Sequence, residues 1–302
     1  MKHTIRPVAR IIQSHRQREG GGFIVRRPFP SAGLSHLDPF LLIDEMGPAD
    51  YGPGEAIGAP DHPHRGFETV TYMLEGEFEH EDSAGHRGTI RPGDVQWMTA
   101  GAGIIHSEMP SRRIREDGGR IHGFQIWVNL PSKLKLTRPR YQEVSSSEIP
   151  RAKSEDGLAE VRVVAGEAFG ASAVINTHTP IIYQDFTVKP GGEFTERYPS
   201  EQRLLLYVFR GAVELGGKDG AEGQTVSDGQ LALLGEGEAI RVRVPEGASE
   251  DARFLLLGGA PMGEPVARYG PFVMNTQEEL VQAFRDFESG KMGEITRSAS
   301  HR

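Results

Sequence analysis

The sequence predicts an all-β protein made of two antiparallel β-barrels, one in each half, with a short helix near the C-terminus. Three observations point there. Glycine (38) and proline (20) are plentiful among the 302 residues, which favours many turns between short elements over a helical bundle. Apolar, β-branched runs bounded by Gly, Pro and Asp recur at close spacing. The runs of one half also superpose on those of the other: Gly76 of YMLEGEF falls on Gly211 of YVFRGAV at an offset of 135, and Gly93 of GDVQWMTAG on Gly229 of GQLALLGEG at 136. Such self-similarity marks an internal duplication of a small β-domain.

In chain order, strands are expected at 67–74, 88–101 and 121–130 in the first half, and at 180–188, 203–215, 229–244 and 253–259 in the second. The polar segment SSSEIPRAKSEDGLAE (145–160) reads as a linker or surface excursion, which gives a first domain of residues 1–144 and a second of 145–302. Within the second, NTQEELVQAFRDF predicts a helix docked on the outside. Thr276 and Glu279 stand in capping-box spacing, and Leu280, Val281, Phe284 and Phe287 share a face.

Composition removes several classes of function. Without cysteine there is no disulfide, thiolate ligand or thiol nucleophile, so any metal must be held by nitrogen and oxygen. The net charge of −8 argues against direct nucleic-acid binding, and the arginines at 16, 18, 26, 27, 112, 113 and 115 read as solvated loops around strands. No run approaches the roughly 20 apolar residues of a membrane helix, and the N-terminus lacks the apolar core of a secretory signal. A soluble, cytoplasmic protein with no membrane partner is expected.

The chemistry gathers in DHPHRGFETV and GAGIIHSEMP. In a strand, His62 and His64 share a face about 6.7 Å apart, and so do His106 and Glu108. Neighbouring strands carrying these pairs would aim three imidazoles and one carboxylate into one space. That donor set suits Fe, Ni, Mn, Cu or Zn and not Ca or Mg. At the duplication offsets the four meet Arg197, Pro199, Val242 and Val244, so a barrel needs none of them and the set belongs to the first domain alone. His80, His86, His122 and His178 read as surface or locally hydrogen-bonded residues. Trp97 and Trp127 read as barrel core, with Trp97 or Phe67 also placed to line a pocket near the ion.

The stretches DHPHRGFETVTYMLEGEFEHEDSAGHRG, GDVQWMTAGAGIIHSEMP, QIWVNLP and YGPFVMN closely resemble the pirin family of the cupin superfamily. The resemblance implies a bicupin of two jelly-roll barrels, with one metal in the N-terminal barrel held by His62, His64, His106 and Glu108, and a metal-free C-terminal barrel. Iron(II) is the expected ion. Two departures from the general cupin pattern stand out: Gly101 replaces the usual proline of the second motif, and the first motif's usual carboxylate is here Glu68, which competes with Glu108 for the fourth position. For function, the resemblance implies a quercetin 2,3-dioxygenase that opens a flavonol with dioxygen and releases carbon monoxide, with Glu108 or Glu68 accepting the 3-hydroxyl proton. The alternative is a non-enzymatic regulator that binds a protein partner according to the metal's redox state, nuclear if the chain is of the animal type.

Overall fold

The structure, a computed structural model, describes residues 3–217 and 223–297. It is all-β, each barrel being formed by one seven-stranded and one four-stranded sheet with antiparallel core strands. In the unit of the first barrel the large sheet runs Arg140–Val144, Val95–Thr99, Phe67–Glu75, Gly119–Asn129, Phe40–Tyr51, Phe23–Phe29 and His15–Glu19. The small sheet runs Ala59–His64, Ile104–Pro110, Phe78–Asp82 and Arg87–Ile90. The other unit repeats this order strand for strand. Its large sheet runs Val8–Gln13, Gln230–Leu234, Arg203–Arg210, Ala252–Gly259, Ile181–Val188, Ala159–Ala165 and Arg151–Lys153, and its small one Glu193–Arg197, Ala239–Arg243, Ala212–Leu215 and Gln224–Ser227. Gly76 and Gly211, the anchors of the repeat, both end a strand with positive φ (78° and 68°), a turn that side chains with a Cβ rarely adopt.

The units are not two linear halves. One takes the residues up to His15 with Ser147–Pro261; the other takes Arg16–Ser146 with the residues from Met262 onward. The chain therefore crosses a division at 144/145 near each end. Val8–Gln13 completes the large sheet of the second barrel by pairing with Gln230–Leu234. The C-terminal helix, Gln277–Glu288, lies in the unit of the first barrel, where Leu280 and Ala283 pack with Phe272, Met274 and Ile105. Its capping box forms as expected, whereas Val281 is exposed, because the buried face runs through Leu280, Ala283 and Phe284. The expected linker contains the strand Arg151–Lys153, paired with Ala159–Ala165. The basic run after Ser111 is a short helix, Arg112–Asp117, with the Ser111 hydroxyl accepting from Ile114 N and Ile114 buried beneath it.

Two buried charged groups fix the walls around the first barrel's interior. Lys135 is 1% exposed and directs Nζ at Gly66 O (2.8 Å), Asn129 Oδ1 (2.8 Å) and Val273 O (3.0 Å), so all three ammonium hydrogens are used. Arg27 grips Asp44 through Nε and Nη2 and also meets Glu19 through Nη1 at 2.7 Å. Burial lowers the Lys135 pKa to about 8; burial, opposed by the Arg27 hydrogen bonds, raises Asp44 to about 6.

Lys135→Met leaves three buried acceptors without their donor and is expected to lower the unfolding free energy by about 3 kcal/mol in urea titrations. Asp44 binds its proton more tightly in the folded than in the unfolded chain. The stability it contributes is therefore present in full below pH 3.8 and lost as pH rises through about 6. Unfolding free energies measured from pH 4 to 7 should fall more steeply for the parent than for Asp44→Asn, by a difference on the order of 3 kcal/mol over that range.

Candidate metal centre

Ala59–His64 and Ile104–Pro110 are antiparallel neighbours in the small sheet, with His106 opposite His62 and Ile104 opposite His64. This register turns two sequence pairs, more than 40 positions apart in the chain, into one cluster. One ring nitrogen from each of His62, His64 and His106 lies within 4.8 Å of the others. The ring centres are 4.7 Å (His62 to His64), 4.3 Å (His62 to His106) and 4.9 Å (His64 to His106) apart.

Local hydrogen bonds set the face that each imidazole presents. His62 Nδ1 is 2.7 Å from Pro60 O and His64 Nδ1 is 3.4 Å from Pro271 O. A carbonyl only accepts, so each Nδ1 carries a hydrogen, and in the neutral ring the lone pair then sits on Nε2. Burial pushes His64 and His106 well below the usual histidine range, which keeps both rings neutral, the form that ligates a cation. His106 is fully buried, with neither ring nitrogen bonded among the described residues. Orphaned buried polar atoms are costly, and a cation among the three rings would satisfy one of them. The residues thus fit a metal.

Glu108 stands beside the trio rather than in it. The strand bulges between His106 and Glu108, so that Glu108 opposes Ala59. Thr71 Oγ1 is 2.6 Å from Glu108 Oε1 and 2.7 Å from Gln125 Oε1, and Gln125 Nε2 is 3.4 Å from Glu108 Oε2. One hydroxyl hydrogen cannot serve both oxygens. The three-membered ring closes with every donor used when the carboxyl itself is protonated and donates to Thr71. Burial raises the Glu108 pKa, in keeping with that state, while Thr71 and then His62 oppose the shift.

Glu68 does not join the cluster. The strand of His62 and His64 ends at Arg65 and Gly66, where φ is 89° and a Cβ would come 2.0 Å from Val273 O. The break shifts the alternation, and Thr71 faces the histidines while Glu68 lies on the other face of Phe67–Glu75, buried and accepting from Thr99 Oγ1 at 2.6 Å. Trp97, on the same far face, pairs in register with Val70. Phe67 packs on His64 with ring centres 5.1 Å apart, and Trp127 packs on both, 5.2 Å from His64 and 4.3 Å from Phe67.

The remaining histidines divide. His86 meets Asp82 at 3.0 Å, a local contact as expected, and His178 is half-buried in the second unit. His80 and His122 are not surface residues. His122 bonds Glu45 at 2.9 Å, and His80 is 1% exposed, its ring centre 5.8 Å from His106 and 4.8 Å from Tyr141. Both lie on strands, His80 between Glu79 and Glu81 and His122 between Ile121 and Gly123, where proximity to a turn in the sequence gives no warning of burial.

His62, His64 and Glu108 line a cavity of about 570 Å³ whose walls include Phe23, Leu42, Met46 and Trp127. Its polar members other than the histidines and Glu108 were not legible as site residues. Thr71, Gln125, Arg27 and Asp44 sit at inward positions of otherwise apolar strands, and polar residues interrupting such runs were the available signal.

The second barrel differs where its register matches. Val242, the counterpart of His106, pairs with Phe194, so Phe194 rather than Arg197 occupies the position of His62. The offset drifts by three residues there because the loops before the next strand differ in length, 65–66 against 198–202. Phe194 stacks on Phe186 at 5.1 Å, and Phe186 on Phe254 at 5.0 Å, filling that interior with rings.

Residues 22–128 match the Pirin family and residues 183–293 the Pirin C-terminal cupin domain. The chain is 46% identical over 288 residues to a pirin-like protein of Solanum lycopersicum, covering 95% of this chain and 93% of that one. It is 44% identical over 283 residues to pirin of Homo sapiens, covering 93% and 92%. A crystal structure of quercetin 2,3-dioxygenase from Acinetobacter baumannii, 38% identical, superposes with a TM-score of 0.88 over 97% of this chain and 100% of that chain. The duplicated strand order and these matches together make this chain a bicupin member of the pirin family.

Proposed function

We propose that this chain is a metal-dependent dioxygenase that opens the heterocycle of a flavonol in the manner of quercetin 2,3-dioxygenase, with release of carbon monoxide. The observation that carries the reading is three imidazoles converging within 4.8 Å, two of them kept neutral by burial, beside a buried carboxyl of raised proton affinity, in a largely apolar cavity of about 570 Å³. A flat aromatic molecule suits such walls. The similarity to the Acinetobacter baumannii enzyme supports the same class of chemistry.

In this reading His62, His64 and His106 hold one divalent transition metal, iron(II) by preference, through their ring nitrogens, with Glu108 as the adjacent oxygen donor. The bound metal supplies Lewis acidity and redox capacity. Glu108 gives up its own proton when a metal is bound beside it, and the freed carboxylate accepts the flavonol 3-hydroxyl proton, a transfer that its raised proton affinity favours. Thr71 and Gln125 keep the carboxyl pointed at the substrate. Leu42, Met46 and Trp127 exclude water from the ring being opened. Glu68, on the far face of its strand, takes no part.

His106→Ala should abolish stoichiometric binding of a first-row transition metal, read by elemental analysis of purified protein; equal metal content in parent and variant would remove the site. Quercetin added to the iron-loaded parent in air should lose its flavonol absorption band over many turnovers, with carbon monoxide in the headspace. Glu108→Gln should lower that rate by about 10²-fold or more while losing less metal than His106→Ala. Turnover limited to one equivalent, without carbon monoxide, would end the dioxygenase reading.

A further inference from the structure

The cavity holds two guanidinium groups in different states. Arg27 is saturated by Asp44 and Glu19. Arg268, in the strand Ala267–Tyr269, also lines the cavity, but among the described residues its side chain makes one hydrogen bond, from Nη1 to Leu41 O at 3.2 Å, and has no carboxylate within ion-pair distance. Its Cζ rests 4.6 Å over the Trp127 ring, which anchors the group, and the other donors have no acceptor among the described residues.

Its position relative to the histidines is fixed by Trp127, whose ring centre is 5.2 Å from that of His64. Trp127 thus touches both His64 and Arg268, and all three line the same cavity. A planar aromatic ligand that puts one oxygen at the trio would lie along apolar wall and bring its far end to Arg268. Guanidinium donors with no protein acceptor complement an oxyanion there. The two carboxylates nearby, Asp44 and Glu19, are both engaged by Arg27, and neither lies within ion-pair distance of Arg268.

We propose that Arg268 is a specificity-determining residue, and that the substrate class is a planar aromatic carrying an anionic oxygen group, a carboxylate or ionised phenol, at the end remote from its metal-side oxygen. This rests on the reading of the histidine trio as the reaction centre.

The test compares 3-hydroxyflavone with its 4′-carboxy and 7-carboxy derivatives, binding being measured without air by quenching of tryptophan fluorescence in the iron-loaded full chain. At least one carboxy derivative should bind the parent about tenfold or more tightly than 3-hydroxyflavone. That ratio should collapse towards one in Arg268→Met, return in part in Arg268→Lys, and shrink with added salt in the parent. A parent without preference, or an Arg268→Met variant that keeps it, overturns the assignment. Because binding is read without turnover, the two readings fail separately. A parent that prefers the carboxy ligand and degrades no flavonol retires the dioxygenase and keeps Arg268 as an anion-recognising residue; a parent that degrades quercetin without the preference retires only the assignment to Arg268.

Discussion

The register that sets His106 opposite His62 is the constraint on which the first barrel's chemistry depends, because a β-ladder tolerates no half-measures. A slip of one residue between Ala59–His64 and Ile104–Pro110 would turn the histidines of one strand to the outer face of the sheet. The bulge after His106 breaks the ladder at one point, letting Glu108 turn towards Thr71 and Gln125 instead of continuing the pairing. The kink at Gly66 does the same for the other strand: it ends the histidine pair and resets the alternation so that Thr71, and not Glu68, faces inward. Two local irregularities in an otherwise regular barrel thus decide which carboxylate meets the metal side.

The duplication isolates what the site adds to the fold. Both units use the same eleven-strand order. In one, the facing strands of the small sheet bring His62 and His106 together; in the other, the matching register brings Phe194 and Val242 together. Ring stacking of Phe186, Phe194 and Phe254 stabilises that interior by burial alone. The histidine interior gives up such packing for groups that are costly to bury, and so needs compensation that the apolar barrel does not: carbonyls for two Nδ1 atoms, a hydroxyl and an amide for Glu108, and the Arg27 pairings for Asp44 and Glu19.

Much of this was legible before any coordinates. Strand periodicity and the paired glycines predict the two-barrel architecture, and the two-residue spacing of His62 and His64 and of His106 and Glu108 predicts their faces, because alternation along a strand is a local property. Glu68 failed for the same reason that they succeeded: parity carries across a strand only while it is unbroken, and Gly66 breaks it with a conformation that the sequence merely permits. Phe40–Tyr51, central in its sheet and carrying Asp44 into the cavity, escaped notice because its glycine and proline disguise it. His80 and Lys135 were misread or missed since burial is a property of neighbours distant in sequence. Lys135 in particular becomes a structural cation only through the carbonyls of Gly66 and Val273.

Those carbonyls show where the site ends in the chain. Pro271 O orients His64, Val273 O binds Lys135, which in turn holds the Gly66 kink, and Arg268 lies over Trp127. Asp286 of the C-terminal helix pairs at 2.9 Å with Arg65, the residue between His64 and that kink, and Arg65 Nε also donates to Ala102 O. Four separate contacts from the residues beyond Met262 therefore reach the surroundings of the histidines, at His64, Arg65, Trp127 and Lys135. The first barrel's own strands aim the imidazoles, but the tautomer of His64 and the conformation at Gly66 are set from the far end of the sequence. The unit is discontinuous accordingly: a histidine cluster built on residues 59–129 has its surroundings completed only when the chain returns to it after building the second barrel.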